Sequence, residues 1–198
     1  MSEPFADVGF RLRGKSLPLD HGYSLFSALS RLLPALHGAV SWGVHPVFGS
    51  RSGPGTLGLV PTSELTIRLP AREIGSVLPL VGLGLDVDGH QVQVGRMNVR
   101  PLRPAATLKA RFVTIKGFHG DVDPFREAVA RQLRTLGVEA DVVVGGRRVM
   151  RIVDRTVVGF PVGLDGLSPD ASLAVQAAGI GGRRHLGAGI FAPVGLQG

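Results

Sequence analysis

Two tandem halves of mixed α+β character, each running strand, helix, hairpin, helix, strand, are what this 198-residue sequence predicts. Three observations lead there. Apolar and polar residues alternate from Val8, and a similar alternation restarts after Thr107. Each alternating run is followed by a stretch with apolar residues at helical spacing. Pro101 and Pro104 fall near the middle of the chain and mark a junction, giving candidate domains 1–104 and 105–198. The order βαββαβ is the ferredoxin-like arrangement. Only the element order repeats between the halves, with no clear repeat of the sequence itself.

In the first half, Val8, Phe10 and Leu12 alternate with Gly9, Arg11 and Arg13, which predicts a strand. A helix is expected from Asp20, with Leu25, Ala28, Leu29 and Leu32 on one face and Pro34 ending or kinking it. Strands are expected at 39–47 and 56–60, around a loop of Gly, Ser and Pro at 49–55. Leu65, Ile67 and Leu69 alternate as another strand, and 71–81 reads as a short helix. A hairpin then turns at Asp88-Gly89.

In the second half, Leu108, Ala110 and Phe112 alternate with Lys109, Arg111 and Val113. Asp123 reads as an N-cap with Pro124 at the first helical position. Phe125, Val129, Leu133 and Leu136 form the apolar stripe, and Gly137 is the stop. Gly145-Gly146 reads as a hairpin turn between valine-rich strands. A strand at 156–162 follows, then a helix from Ser168-Pro169 through Ala178, a glycine-rich loop and a short strand at Ile190 and Phe191.

Composition narrows the function. Apolar residues make up 44%, enough for a core. There is no cysteine, hence no disulfide framework and no thiolate metal site. No apolar run is long enough to span a bilayer, and the first residues lack signal-peptide order, so a cytoplasmic protein with no membrane partner is expected. The net charge is +7, and residues 95–155 carry thirteen basic against six acidic groups while the flanks balance. Most of that surplus is arginine, suited to forked phosphate contacts, so a nucleic acid is the expected partner. Six histidines are present and no pair has His-x-x-x-His spacing, which argues against a zinc site. Acids are too scattered to suggest a hydrolase with paired carboxylates.

The most specific segment is Gly179-Ile180-Gly181-Gly182-Arg183-Arg184-His185-Leu186-Gly187-Ala188-Gly189. Glycines permit positive φ and close backbone approach, and their N–H groups can hold phosphate oxygens. The loop follows a helix and precedes a strand, which is the wrong context for a dinucleotide fingerprint. It also lacks the Gly-Lys-Ser/Thr of a phosphate loop. This segment resembles the C-terminal glycine-rich loop of the repeat-associated RNA-binding (RAMP) superfamily. The whole chain resembles the endoribonucleases that process CRISPR precursor RNA.

That resemblance implies a metal-independent cut that needs no cofactor. The ribose 2′-hydroxyl attacks the adjacent phosphate, leaving a 2′,3′-cyclic phosphate and a 5′-hydroxyl. Histidine suits both proton transfers. The resemblance also implies a catalytic histidine at or just past the first helix. His37, in Leu36-His37-Gly38, is therefore the first candidate, His45 the second, and Ser30 on the helix a helper. His21 at the helix start is expected to be structural, His90 exposed, and His119 uninformative. The family's lysine beside the histidine has no counterpart after His37, so Arg31 or Arg51 is expected to supply the charge.

RNA contacts are expected from Arg147, Arg148, Arg151 and Arg155 on the predicted hairpin. In the loop they are expected from Gly179, Gly181, Arg183, Arg184, His185, Gly187 and Gly189. Arg96, Arg100 and Arg103 form a further basic group. The expected partner is CRISPR repeat RNA, precursor and mature, with other subunits of an RNA-guided effector complex as further candidates. The alternative reading is a non-catalytic RNA-binding subunit of such a complex.

Overall fold

The computed structural model describes residues 3–118 and 120–195, so His119 lies outside the described residues. Two compact units divide after Pro101. Both are α+β with antiparallel sheets. No helix among the described residues is long and apolar enough to cross a membrane.

The first unit contains β1 (Phe5–Gly14), β2 (Ser16–Pro18), α1 (Gly22–Leu32), β3 (Gly43–Val44), β4 (Ser50–Arg51), β5 (Thr56–Gly58), β6 (Glu64–Pro70), β7 (Gly84–Val87) and β8 (His90–Pro101). Its main sheet has the order β3-β6-β1-β8-β7, and β2, β5 and β4 form a small separate sheet. Val8, Phe10 and Leu12 of β1 meet Leu65, Ile67 and Leu69 of β6 in one core, with Leu25, Ala28 and Leu29 of α1 packed on them. Each of these side chains larger than Ala28 contributes about 1.5–3 kcal/mol by leaving water. The other face of β1 and β6 is polar, because successive side chains point to opposite sides.

Two elements of this unit differ from expectation. The strand at 39–47 contracts to the pair Gly43–Val44. The helix at 71–81 is a 3-10 segment, Ala71–Leu80, holding Pro79, whose missing N–H and fixed φ disfavour an α-helical turn. As expected, this segment precedes the closing hairpin β7–β8.

The second unit contains β9 (Leu108–Val113), α2 (Val122–Thr135), β10 (Asp141–Val144), β11 (Arg148–Ile152), β12 (Arg155–Asp165), α3 (Pro169–Ala178) and β13 (Ala192–Pro193). The sheet order β10-β12-β9-β13 is the ferredoxin-like one. Leu108, Ala110, Val113, Phe160, Val162 and Leu164 share a core with Phe125, Val129 and Leu133 of α2 and Val175 of α3. α2 begins one turn-fraction earlier than expected, with Asp121 at the N-cap and Asp123 paired instead with Arg126 at 2.6 Å. α3 starts as expected: the Ser168 side chain accepts from Ala171 N–H at 3.2 Å.

Gly145-Gly146 is not the hairpin turn. β10 and β11 pair one after the other along the same strand, β12, and the glycines only bridge them. The tight turn is Val153-Asp154, between Ile152 and Arg155, with Val153 at φ 52°. A β-branched residue is disfavoured there, so the sequence carries no turn signal at that point.

Candidate functional site

In the first unit, α1 gives way to a 3-10 turn, Pro34–His37, which leaves His37 exposed at its end. The His37 ring meets Phe26 of α1 edge-on, with centroids 5.4 Å apart. That contact steadies the ring without occupying its nitrogens. Ser30 is placed differently from expectation. It is buried in α1 and donates its hydroxyl to the Phe26 carbonyl at 2.8 Å, a bond that commits its proton within the helix.

His21 clamps the segment before α1. Its Nδ1 lies 3.0 Å from the Pro18 carbonyl and its Nε2 accepts from Val47 N–H at 2.9 Å. A carbonyl needs a donor and an N–H needs an acceptor, so these partners set a neutral ring protonated on Nδ1.

His45 is drawn into a network the sequence did not reveal. Its backbone N–H donates to the Thr66 carbonyl at 2.8 Å, and its ring Nε2 lies 3.4 Å from Asp7 Oδ1. Both Asp7 oxygens also accept from Arg68, from Nε at 2.7 Å and Nη2 at 2.8 Å. Arg68 is fully buried on the polar face of β6. Burial alone would raise the Asp7 carboxyl. The Arg68 hydrogen bonds and the neighbouring His45 outweigh it and hold the group well below the usual carboxylate range. Glu64 binds Arg100 on the same face, which raises the Arg100 guanidinium above its ordinary value. Arg100 is thus committed to a carboxylate and is not a loose member of a basic patch. His45 is a mostly buried partner of Asp7, whereas His37 stands at the surface.

In the second unit, the glycine-rich loop is folded against the sheet. Gly181 N–H donates to Gln132 Oε1 at 2.7 Å, Gly182 N–H to the Thr114 carbonyl at 3.1 Å, and Gly189 N–H to the Phe112 carbonyl at 2.8 Å. Gly179 and Gly187 N–H groups bond to the Val175 and Arg184 carbonyls. These amides hold the loop's own shape, so the expected cradle of N–H groups for phosphate is not what the glycines form. They are needed for another reason. Gly181 has φ 79°, and a Cβ there would collide with the Thr114 carbonyl oxygen.

The loop also separates the two arginines. Arg184 is buried and donates from Nη1 to the Ala178 carbonyl at 2.8 Å, closing the C-terminus of α3. The expectation that it contacts RNA is therefore corrected to a capping role. Arg183 is exposed at the loop tip with φ 65°, and His185 is half-buried.

The hairpin arginines divide as well. Directly opposed residues share a face, so Arg148, paired with Gly159, and Arg155, paired with Ile152, lie on one face, and Arg151 on the other. Arg147 precedes the strand and is exposed. The predicted single cluster is thus two faces of one ribbon.

The model of the family described as Cas6 Crispr matches residues 6–195. The chain belongs to the Cas6 family. A curated relative, a CRISPR-associated endonuclease Cas6 from Myxococcus xanthus, is 44% identical over 194 residues, covering 96% of this chain and 82% of that protein. Among solved structures, a CRISPR-associated protein Cas6 has a TM-score of 0.68 at 12% identity, covering 98% of this chain and all of the other. A RAMP protein that binds different RNA substrates has a TM-score of 0.63 at 12% identity, covering 96% and 98%. Thermus thermophilus Cse3 bound to RNA has a TM-score of 0.55 at 15% identity, covering 96% and 98%. At such identities the structural likenesses establish the fold, an α+β arrangement of the kind the element order predicts.

Within this Cas6 family chain, two residues escaped the sequence reading. Asp7 was missed because its partner Arg68 lies 61 residues away. Arg111 stands beside Arg148, whose Nη1 reaches the Arg111 carbonyl at 3.5 Å. Burial, and then the Arg148 charge, lower the Arg111 guanidinium from its ordinary value. Two cations held this close form a place suited to an anion, a signal visible only once β9 and β11 are folded together.

Proposed function

We propose that this chain is an endoribonuclease that binds CRISPR repeat RNA and cuts the precursor transcript into guide RNAs. The observation that carries this reading is the 44% identity, across 96% of the chain, to a CRISPR-associated endonuclease. The RNA partner is supported by the basic surplus of the middle stretch and by the exposed Arg147, Arg148, Arg151, Arg155 and Arg183.

The chemistry we assign is attack by a ribose 2′-hydroxyl on its own 3′-phosphate. A P–O bond forms to the 2′-oxygen and the bond to the next nucleotide's 5′-oxygen breaks. The 2′-proton leaves to a base and the 5′-oxygen receives one from an acid. His37 is the residue we place at this step. Its imidazole is exposed, and histidine exchanges protons near neutrality. His45 is the second choice, because its Nε2 is already turned to Asp7. Ser30 drops out, with its hydroxyl bound inside α1. The route needs no metal.

The test is cleavage of the cognate repeat RNA in excess EDTA by wild-type protein and by His37→Ala. The expected result is one cut ending in a 2′,3′-cyclic phosphate, lost in the variant while RNA binding persists. Cleavage that survives the substitution moves the role to His45. Tight binding without any cut by the wild-type protein selects the non-catalytic effector subunit.

A further inference from the structure

We propose that the open face of the second unit's sheet is a shallow track for the sugar–phosphate backbone of RNA, with Gly163 as its floor. The proposal rests on the RNA-binding reading above and adds a site to it. Leu108, Ala110, Val142, Val144, Phe160, Val162 and Leu164 turn to the helix side of the sheet. Lys109, Val143 and Gly163 therefore point away from it, and register places them in one row: Val143 opposite Gly163, and Gly163 opposite Lys109.

The fold does not require glycine at 163. Its φ is not positive, and a Cβ there would find its nearest neighbour, Val143 Cβ, at 3.7 Å, an ordinary contact. A bare backbone in the middle of a central strand gives up packing and costs entropy, and it otherwise marks close approach by a ligand. Gly159, by contrast, is explained internally, since a Cβ would collide with the Val113 carbonyl oxygen. Between them Pro161 sits where the register shifts, its carbonyl accepting from Gly145 N–H at 2.9 Å. The bare stretch is thus Pro161 and Gly163, and at Gly159 the Phe112 ring fills the place a side chain would take.

Its flanks are cationic. Lys109 and Arg111 rise from β9 on one side, and Arg148 from β11 opposite Gly159. One end is closed to phosphate by Asp141 opposite Asp165. From 161 to 163 the bare stretch runs about 7 Å. Phe112 lies buried against Gly159 at the other end, so the bare stretch offers phosphate contacts and no exposed ring for stacking. Contacts of that kind sense shape and charge and are indifferent to base sequence.

The test is the Gly163→Val variant, which puts a branched side chain on the floor at a position whose backbone accepts one. Affinity for repeat RNA and for a scrambled RNA is measured across a salt series, with thermal melting as the control for folding. The expected result is an unchanged melting temperature and at least tenfold weaker binding, by the same factor for both RNAs. Lys109→Gln serves as the second variant, lowering the salt slope of binding by about one. Wild-type-like affinity in Gly163→Val overturns the track, as does a loss confined to the cognate RNA. Failure of the wild-type protein itself to bind repeat RNA overturns the RNA-binding reading and the track with it.

Discussion

Replacing Asp7 with Asn tests whether the buried ion pair governs the first unit's stability. The substitution keeps the shape and removes the charge. Arg68, 1% exposed, then lies buried with one amide oxygen in place of two carboxylate oxygens. The new NH2 group faces a guanidinium N–H, donor against donor. Breaking a buried pair in this way costs about 3–5 kcal/mol, and Asp7's 19% exposure argues for about 3. For a unit of this size that is roughly 12 °C or more in melting temperature. The assay is thermal and urea unfolding of wild-type and variant protein from pH 7 down to pH 3. Asp7 has an ordinary value of 3.8 and sits well below it when folded. As pH falls past about 4, the unfolded wild-type chain takes up a proton that the folded chain refuses, and wild-type stability drops. The variant has no such group, so the gap is full at pH 7 and narrows toward pH 3. A gap of the same size at both ends, or a variant as stable as wild type at pH 7, refutes the argument.

The loop yields two further predictions. Gly181→Ala forces a side chain into a left-handed backbone and against the Thr114 carbonyl, costing about 1–2 kcal/mol for the conformation alone; faster amide exchange at Gly182 and Gly189 is the readout. Arg183→Ala weakens RNA binding and lowers its salt slope by about one with no change in melting temperature, whereas Arg184→Ala lowers the melting temperature by uncapping α3. Equal effects of the two substitutions on melting would contradict the assignment of one arginine to solvent and the other to the fold.

What could be read from the sequence was local. Ser168-Pro169 announced α3, and the stripe Phe125, Val129, Leu133 announced α2, because caps and helical spacing are carried by neighbours in the chain. The alternation of β1, β6 and β9 was equally plain. The hairpin turn was not, since Val153 adopts φ 52° against its own preference while Gly145-Gly146 advertised a turn it does not make. Arg183 and Arg184 look identical in sequence, and only the path of the loop buries one and exposes the other. In the sequence, His45 stands at a strand end and Ser30 on α1, and both have suitable chemistry. Their actual partners, Asp7 and the Phe26 carbonyl, depend on strand register and helix phase.

β12 runs Arg155–Asp165, and its two ends do different work. Toward Asp165 it is gripped by β9 and β10 and anchored through Phe160, Val162 and Leu164 in the core. Toward Arg155 it pairs with β11, and the Thr114 hydroxyl donates to its Val158 carbonyl at 2.8 Å. The arrangement is a cantilever, fixed at one end and loaded at the other. A push on the arginines of the ribbon is resisted by bending β12 at the point where its register shifts, near Pro161. The ribbon that carries Arg148 and Arg155 is thus tied to the core through that one strand.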